Sequence, residues 1–375
     1  VTADPDMGLM SGSASTIDSA WVLLFDFTDA TGHILATSDG GLNWAEQDSG
    51  LLFNGPLSFP NFIYFWDSNE GIVMGDPNGV DNNYEIYRTL NGGDDWILID
   101  TAEIPDPTPG EAGYVNNFFV LGDDIWFGTF LNKIYHSENR GQTWSASALN
   151  GDANIAGPIA FKDAENGISI VTELPDKKFG GIYSTSNGGD TWTEIITSGS
   201  VGLLDLDIVT GTSIYVSCAS SGPFEGFSSM SVDDGVTWTL IDTTGAGTDA
   251  GYSSLDFLSN EIGWAGGFTT SSTEGGVSKW NGAPFAIENI NDEKSITVFP
   301  NPTSDFIVLN FAPGNHAEIK IQITSIDGQI EFSSEIYPAT NLINEKINIS
   351  NLVKGIYVVS AFNETEMISR KFIVK

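Results

Sequence analysis

The stretch TSDGGLNW at 37–44 is written four more times, as TLNGGDDW at 89–96, SENRGQTW at 137–144, TSNGGDTW at 185–192 and SVDDGVTW at 231–238. The closing tryptophans, Trp44, Trp96, Trp144, Trp192 and Trp238, stand 52, 48, 48 and 46 residues apart. A period of roughly 40–50 residues suits four-stranded sheets repeated around an axis, so this feature limits the fold before any propensity is weighed. One glycine recurs in every copy, as Gly41, Gly93, Gly141, Gly189 and Gly235. Glycine tolerates positive φ and therefore suits a tight turn. The side chains of Asp39, Asn91, Asn139, Asn187 and Asp233 can accept hydrogen bonds from turn N–H groups, a role that Asp and Asn share. Each tryptophan is expected to open the next strand and bury a broad apolar face. The acids of the repeat are read as holders of turns, not as chemistry.

A second repeat keeps the same register. FWDSNEG at 65–71, FKDAENG at 161–167 and FLSNEIG at 257–263 lie 96 residues apart, two periods each time. Each precedes a short β-rich run and reads as the turn between the first and second strands of units two, four and six. Six units fill 1–295, five with the eight-residue turn and a sixth whose copy has decayed to VSKWNGAPF. Seven is the alternative count. The eight-residue turn resembles the Asp-box, or BNR repeat, of β-propellers. Together with the Phe-x-Asp turns it is similar to the photosystem II assembly factor-like group. That resemblance implies that each box joins the third and fourth strands of a blade, at the periphery and away from the central funnel.

After IENINDEKS the composition changes: 296–375 has no Trp and no box, but seven alternating apolar segments from ITVF to RKFIVK. Seven short strands in that length predict a small antiparallel, immunoglobulin-like sandwich. Its punctuation is Pro300-Asn301-Pro302 at the start, Asp327-Gly328 as a hairpin turn, Gly355 and Tyr357 before the penultimate strand, and a basic end that includes Lys371. These landmarks are similar to the type A C-terminal sorting domain of type IX secretion cargo in Bacteroidetes. The resemblance implies export across the outer membrane by the type IX machinery, and often removal of the domain by a sortase. An immunoglobulin-like binding module is the alternative. The expected fold is thus all-β, a propeller over 1–292 and a sandwich over 293–375.

The formal net charge is −36, and the last 80 residues hold six Lys/Arg and eight Asp/Glu, so nearly all of the excess lies before them. Such a surface repels nucleic acid and anionic membranes, although salt screens it beyond about 8 Å. A nucleic-acid partner is excluded. The single cysteine, Cys218, sits in the apolar stretch IYVSCAS and can form no intrachain disulfide. It reads as a small buried side chain. No apolar run is long enough to span a membrane. No signal peptide precedes the repeats, so Val1 is the expected start of the mature chain under the sorting-domain resemblance.

Chemistry is harder to find. Recognition of a sialic acid carboxylate needs clustered arginines. This chain has only Arg88, Arg140 and Arg370. His33, His136 and His316 are spread over distant segments, and no metalloprotease, phosphate-loop or dinucleotide motif occurs. A glycosidase needs two carboxylates about 5–9.5 Å apart, which sequence cannot judge. In GDPNGVDNNYE at 75–85, Asp76, Asn78 and Asp81 offer oxygens around Gly79 and could wrap calcium. An acidic loop turned to solvent explains them equally well. Trp66, Trp126 and Trp264 could form a sugar platform, or simply pack the propeller. The expectation is a secreted or surface-held module that binds a glycan or a surface protein, with a glycoside hydrolase as the alternative.

Overall fold

In the computed structural model, each eight-residue repeat connects the third and fourth strands of a four-stranded antiparallel sheet. The structure describes residues 6–47, 52–79, 82–149, 154–219, 226–245, 252–259, 262–271, 274–280, 296–299, 303–311, 319–325, 329–337, 343–363 and 367–375. The chain forms two compact units, Val1–Phe285 and Ala286–Lys375. The boundary expected at 292/293 falls in 281–295, outside the described residues. Among the described residues there is no α-helix, only a 3-10 turn at Thr101–Glu103. The fold is all-β.

The first unit carries five four-stranded sheets and one three-stranded sheet among its described residues, each a simple up-and-down meander. These are the blades of a β-propeller. The first strands are Met7–Ala14, Pro60–Phe65, Gly113–Leu121, Ile155–Phe161, Asp205–Ile208 and Tyr252–Phe257, one for each of blades one to six. The Phe-x-Asp/Ser turns of the second repeat follow the first strands of blades two, four and six.

The core is distributed between blades. Blade one meets blade two through Trp21, Leu23 and Ile34 against Ile63, Phe65 and Val73. Phe62, Ile72 and Met74 of blade two meet Ile125, Phe127 and Tyr135 of blade three. The same kind of layer joins blade three to four, four to five and five to six. Strands buried on both faces explain the near-continuous apolar runs of the sequence, such as GISIV at 167–171.

A first strand has one edge without a ladder partner, and its N–H groups need acceptors. Side chains of the preceding blade supply them. Ser11 Oγ and Ser13 Oγ accept from the N–H groups of Ile63 (3.3 Å) and Phe65 (2.9 Å). Asp76 accepts from Gly113 N–H at 2.7 Å. Asp205 and Asp207 accept from Leu255 N–H and Phe257 N–H, both at 2.7 Å. Tryptophans tie the outer parts together: Trp21 Nε1 donates to Gly92 O of the next box at 2.9 Å, and Trp126 Nε1 to Gly188 O at 2.7 Å.

The second unit is a sandwich of a three-stranded and a four-stranded sheet, seven strands among the described residues. Ile307 and Leu309 of one sheet pack with Ile321, Val359 and Phe372 of the other. Gly355 begins the strand Gly355–Phe362, and Tyr357 is buried with its hydroxyl donating to Val353 O at 2.9 Å. Lys371 lies on the last strand, opposite Val358. The landmarks Pro300, Asn301, Pro302, Asp327 and Gly328 lie outside the described residues.

Candidate functional site

The five boxes share one hydrogen-bond plan. In the first, Asp39 Oδ1 accepts from Asn43 N–H (2.9 Å) and from Thr37 Oγ1 (2.9 Å), while Thr37 Oγ1 accepts from Gly41 N–H (3.0 Å). Asn91 and Thr89, Asn139 and Ser137, Asn187 and Thr185, and Asp233 and Ser231 repeat these contacts. Backbone and side-chain donors of Asn43, with Thr37, hold the Asp39 carboxyl below its usual range. The seventh position completes the turn. Asn43 Nδ2 donates to Asp39 (2.7 Å), whereas Asn91 Nδ2 donates to Asp95 (2.9 Å), and Asn139 and Asn187 donate to Thr143 and Thr191. In the first four boxes an amide at one position is matched by an acceptor at the other, and in the fifth the Thr237 hydroxyl donates to Asp233, which is why Asp and Asn exchange between copies. Trp144, Trp192 and Trp238 are buried, and Trp44 and Trp96 are partly so.

The remaining sequence candidates are scattered. Asp76 is held by Asn61 Nδ2 and Gly113 N–H, both at 2.7 Å, and burial raises its carboxyl to about 6 despite those bonds. Asn78 lies just beyond it and its carbonyl accepts from Leu57 N–H at 3.2 Å, while Asp81 lies outside the described residues. No cluster of three His, Cys, Asp or Glu suited to a metal occurs among the described residues. Arg88 and Arg140 both pair with Glu70 at the periphery, and Arg140 also lies over the Trp66 ring. Trp126 is fully buried, stacked between Phe161 and His136. Trp66 Nε1 donates to Gly122 O at 2.8 Å. Burial raises the Cys218 thiol well above its ordinary value. Glu111 is a buried carboxylate, yet Lys133 Nζ (2.8 Å), Thr108 N–H (2.7 Å) and Thr129 Oγ1 (3.1 Å) satisfy it.

A cavity of about 700 Å3 lies elsewhere, between blades three, four and five. It is lined where first strands begin, second strands end and third strands start, hence at the blade ends opposite the boxes. Its polar lining includes Asn116, Asn117, Thr172, Ser200 and Asp205, and its apolar lining includes Tyr114, Phe179 and Phe227. Tyr114 and Phe179 are 38% and 41% exposed, so their rings face solvent. Asp205 Oδ1 and Oδ2 each accept one backbone N–H, from Leu206 and Leu255, and burial raises the carboxyl to about 7. Asn117 is buried, donates to Ala156 O at 2.7 Å and keeps Oδ1 without a protein partner. Gly157 permits this approach, since a Cβ there would come within 2.0 Å of Asn117 Oδ1. Ser11 Oγ donates to Asn116 Oδ1 at 3.0 Å, so blades one and three touch past blade two.

Sequence reasoning did not find this cavity. Its walls come from segments separated by more than a hundred residues, from Tyr114 to Phe227. One local signal was available: DLDI at 205–208 puts two carboxylates on one face of an otherwise apolar strand.

Comparison with known proteins gives a clear result for the tail. Residues 297–375 match the family of secretion system C-terminal sorting domains. The chain therefore carries a type IX sorting tail, which marks it for export and engages the type IX secretion machinery. No curated protein matches the chain. Among solved structures, the chain is similar to the GH74 enzyme of Niastella koreensis at 15% identity and a TM-score of 0.48, over 94% of this chain and 56% of that one. It thus spans little more than half of that enzyme. A Dyadobacter fermentans protein of unknown function gives 12% identity and 0.47, over 74% of this chain and 95% of the other. A Trypanosoma rangeli sialidase mutant displaying trans-sialidase activity gives 11% and 0.45, over 98% and 83%. At this level of similarity none of them says what the present chain binds.

Proposed function

We propose that the first unit is a recognition module held on, or released from, the outer surface of a Gram-negative bacterium, with a glycan or a surface protein as its ligand. The observation that carries this reading is the cavity between blades three, four and five. Ligand sites are concave, mostly apolar and furnished with a few polar groups, and this one combines exposed aromatic faces with amide, hydroxyl and carboxyl groups. Its position opposite the boxes leaves the repeat free to build and the cavity free to bind. The propeller is taken to occupy 1–292 and the sorting domain 293–375, cleaved or retained after export.

Asp205 favours the alternative, a glycoside hydrolase, because a carboxyl near neutrality beside a cavity suits a general acid. Asp176 also lines the cavity, but on an exposed loop where it pairs with Lys178. Both oxygens of Asp205 are engaged by backbone donors, and this supports binding over turnover.

The test is melting of the full chain against a panel of oligosaccharides, with calcium and with chelator. A ligand at 100 times its Kd stabilises the fold by about 2.7 kcal/mol. A rise with one sugar supports the module, and product analysis of that sugar then separates binding from hydrolysis. A chelator-dependent fall would support calcium at the loop of Asp76, Asn78 and Asp81. If no sugar moves the transition, the glycan half of the reading fails and a protein partner remains.

A further inference from the structure

We infer that the cavity between blades three, four and five takes a ligand carrying an alkylammonium group, seated between Asp205 and the faces of Tyr114, Phe179 and Phe227. The inference deepens the proposed recognition role and rests on it. Three observations converge. First, Asp205 lines the cavity and is met only by backbone N–H groups, with no basic side chain bound to it. Its charged neighbours on the packed strands, Asp207 and Asp256, are also acidic. A cation arriving in the cavity would offset a like-charge crowd that the protein itself leaves uncompensated.

Second, three aromatic residues line the same space. Ring faces attract a cation within about 6 Å, most strongly where water is excluded, and aromatic walls beside a carboxylate form the usual receptor for substituted ammonium groups. Third, the chain carries a net charge of −36. That field raises the local concentration of cations at the surface and lowers that of anions. Lys177 is the one basic residue lining the cavity, and the three arginines lie elsewhere. An anionic ligand would find no bidentate partner there. Asn117, buried with an Oδ1 that has no protein partner, lies on the same wall.

The probe is choline, set against its uncharged carbon isostere 3,3-dimethylbutan-1-ol, and hexylamine as a primary ammonium. Binding to the full chain is measured by calorimetry at pH 8, above the value of about 7 to which burial raises the Asp205 carboxyl. Choline or hexylamine should bind about tenfold or more tighter than the isostere, as expected for a hydrogen-bonded or ring-stacked cation. Choline ahead of hexylamine would point to a quaternary source, the reverse order to a primary amine. Asp205→Asn and Phe179→Ala should each weaken binding by about tenfold, and Lys177→Ala should tighten it.

Phe179 is half-exposed, so its variant keeps the test valid should Asp205→Asn disturb blade six. Binding of both choline and hexylamine no tighter than that of the isostere would overturn the inference. So would cation binding that survives both weakening variants and vanishes in high salt, since that is diffuse attraction to an acidic surface. If no ammonium probe binds while a neutral sugar from the panel does, the inference fails and the recognition reading stands. If neither class binds, the inference and the glycan half of the recognition reading both fall, and only a protein partner remains.

Discussion

Asp205 and Asp207 do with carboxylates what Ser11 and Ser13 do with hydroxyls: they cap the open edge of the next blade's first strand. A carboxylate accepts more strongly, but it must be ionised in a site that burial desolvates. Burial raises both carboxyls to about 7, partly offset by the backbone N–H groups they accept, with the charge of Asp256 adding to the rise in both and that of Asp205 to the rise in Asp207. A carboxyl raised above its unfolded value costs stability once that unfolded value is passed. The cost grows from about pH 4 and is complete above about pH 7. Blade six should therefore be held more tightly at pH 5 than at pH 8. Asp207→Asn removes the titration while keeping an oxygen for Phe257 N–H. Its melting temperature should be equal to or below that of the parent at pH 5 and should gain on it steadily towards pH 8. Parallel pH profiles for the two proteins would show that Asp207 does not titrate in the folded chain. This much was half legible in the sequence. The alternation in DLDI was visible, but the strand that accepts the pair lies fifty residues on.

At the scale of the element, the Asp-box is legible because everything it needs sits within eight residues. The Ser/Thr hydroxyl takes the glycine N–H, the Asp or Asn takes the N–H four residues on, and the glycine holds φ between +78° and +99°. What single-position reading left out was the pairing of the third and seventh letters. The first box has Asp39 with Asn43, the second Asn91 with Asp95, and each contains one amide donor and one carboxylate acceptor. Asn91→Asp alone would set two carboxylates against each other and lose a donor. It should destabilise the first unit by about 1 kcal/mol, a fall of a few degrees in melting temperature. Adding Asp95→Asn reproduces the order of the first box and should recover most of the loss. The coupling is read from the four proteins of the cycle. If the double variant is as unstable as the sum of the singles, the pairing is incidental to the turn. The cavity illustrates the opposite limit. Tyr114, Asp205 and Phe227 are made neighbours only by the packing of three blades, and no window of sequence records that.

For the whole molecule, the repeat and the break in composition near 295 made the two-part plan readable, because both are periodic or compositional signals that survive without contacts. Charge also acts at this scale. With −36 spread mainly over the first unit, self-repulsion opposes compaction, and salt screens it with a Debye length falling from about 30 Å at 0.01 M to about 8 Å at 0.15 M. The melting temperature should rise over that range, and an unchanged value would mean that local pairs such as Lys133–Glu111 already neutralise what matters. The two units keep separate cores. Ile321, Val359 and Phe372 belong to the sandwich, and the interblade layers of the propeller draw on none of them. Removing 297–375, the residues that match the sorting family, should thus leave the first unit's melting transition within a few degrees of its value in the full chain. Export is a different matter, since the tail is the address. In a bacterium with a working type IX system the truncated chain should accumulate inside the outer membrane, folded and able to bind whatever the full chain binds. The tail grafted onto an unrelated folded protein should carry that protein to the surface. Loss of the first unit's transition on truncation would show that the sandwich is part of its fold, and export without the tail would show that the address lies elsewhere.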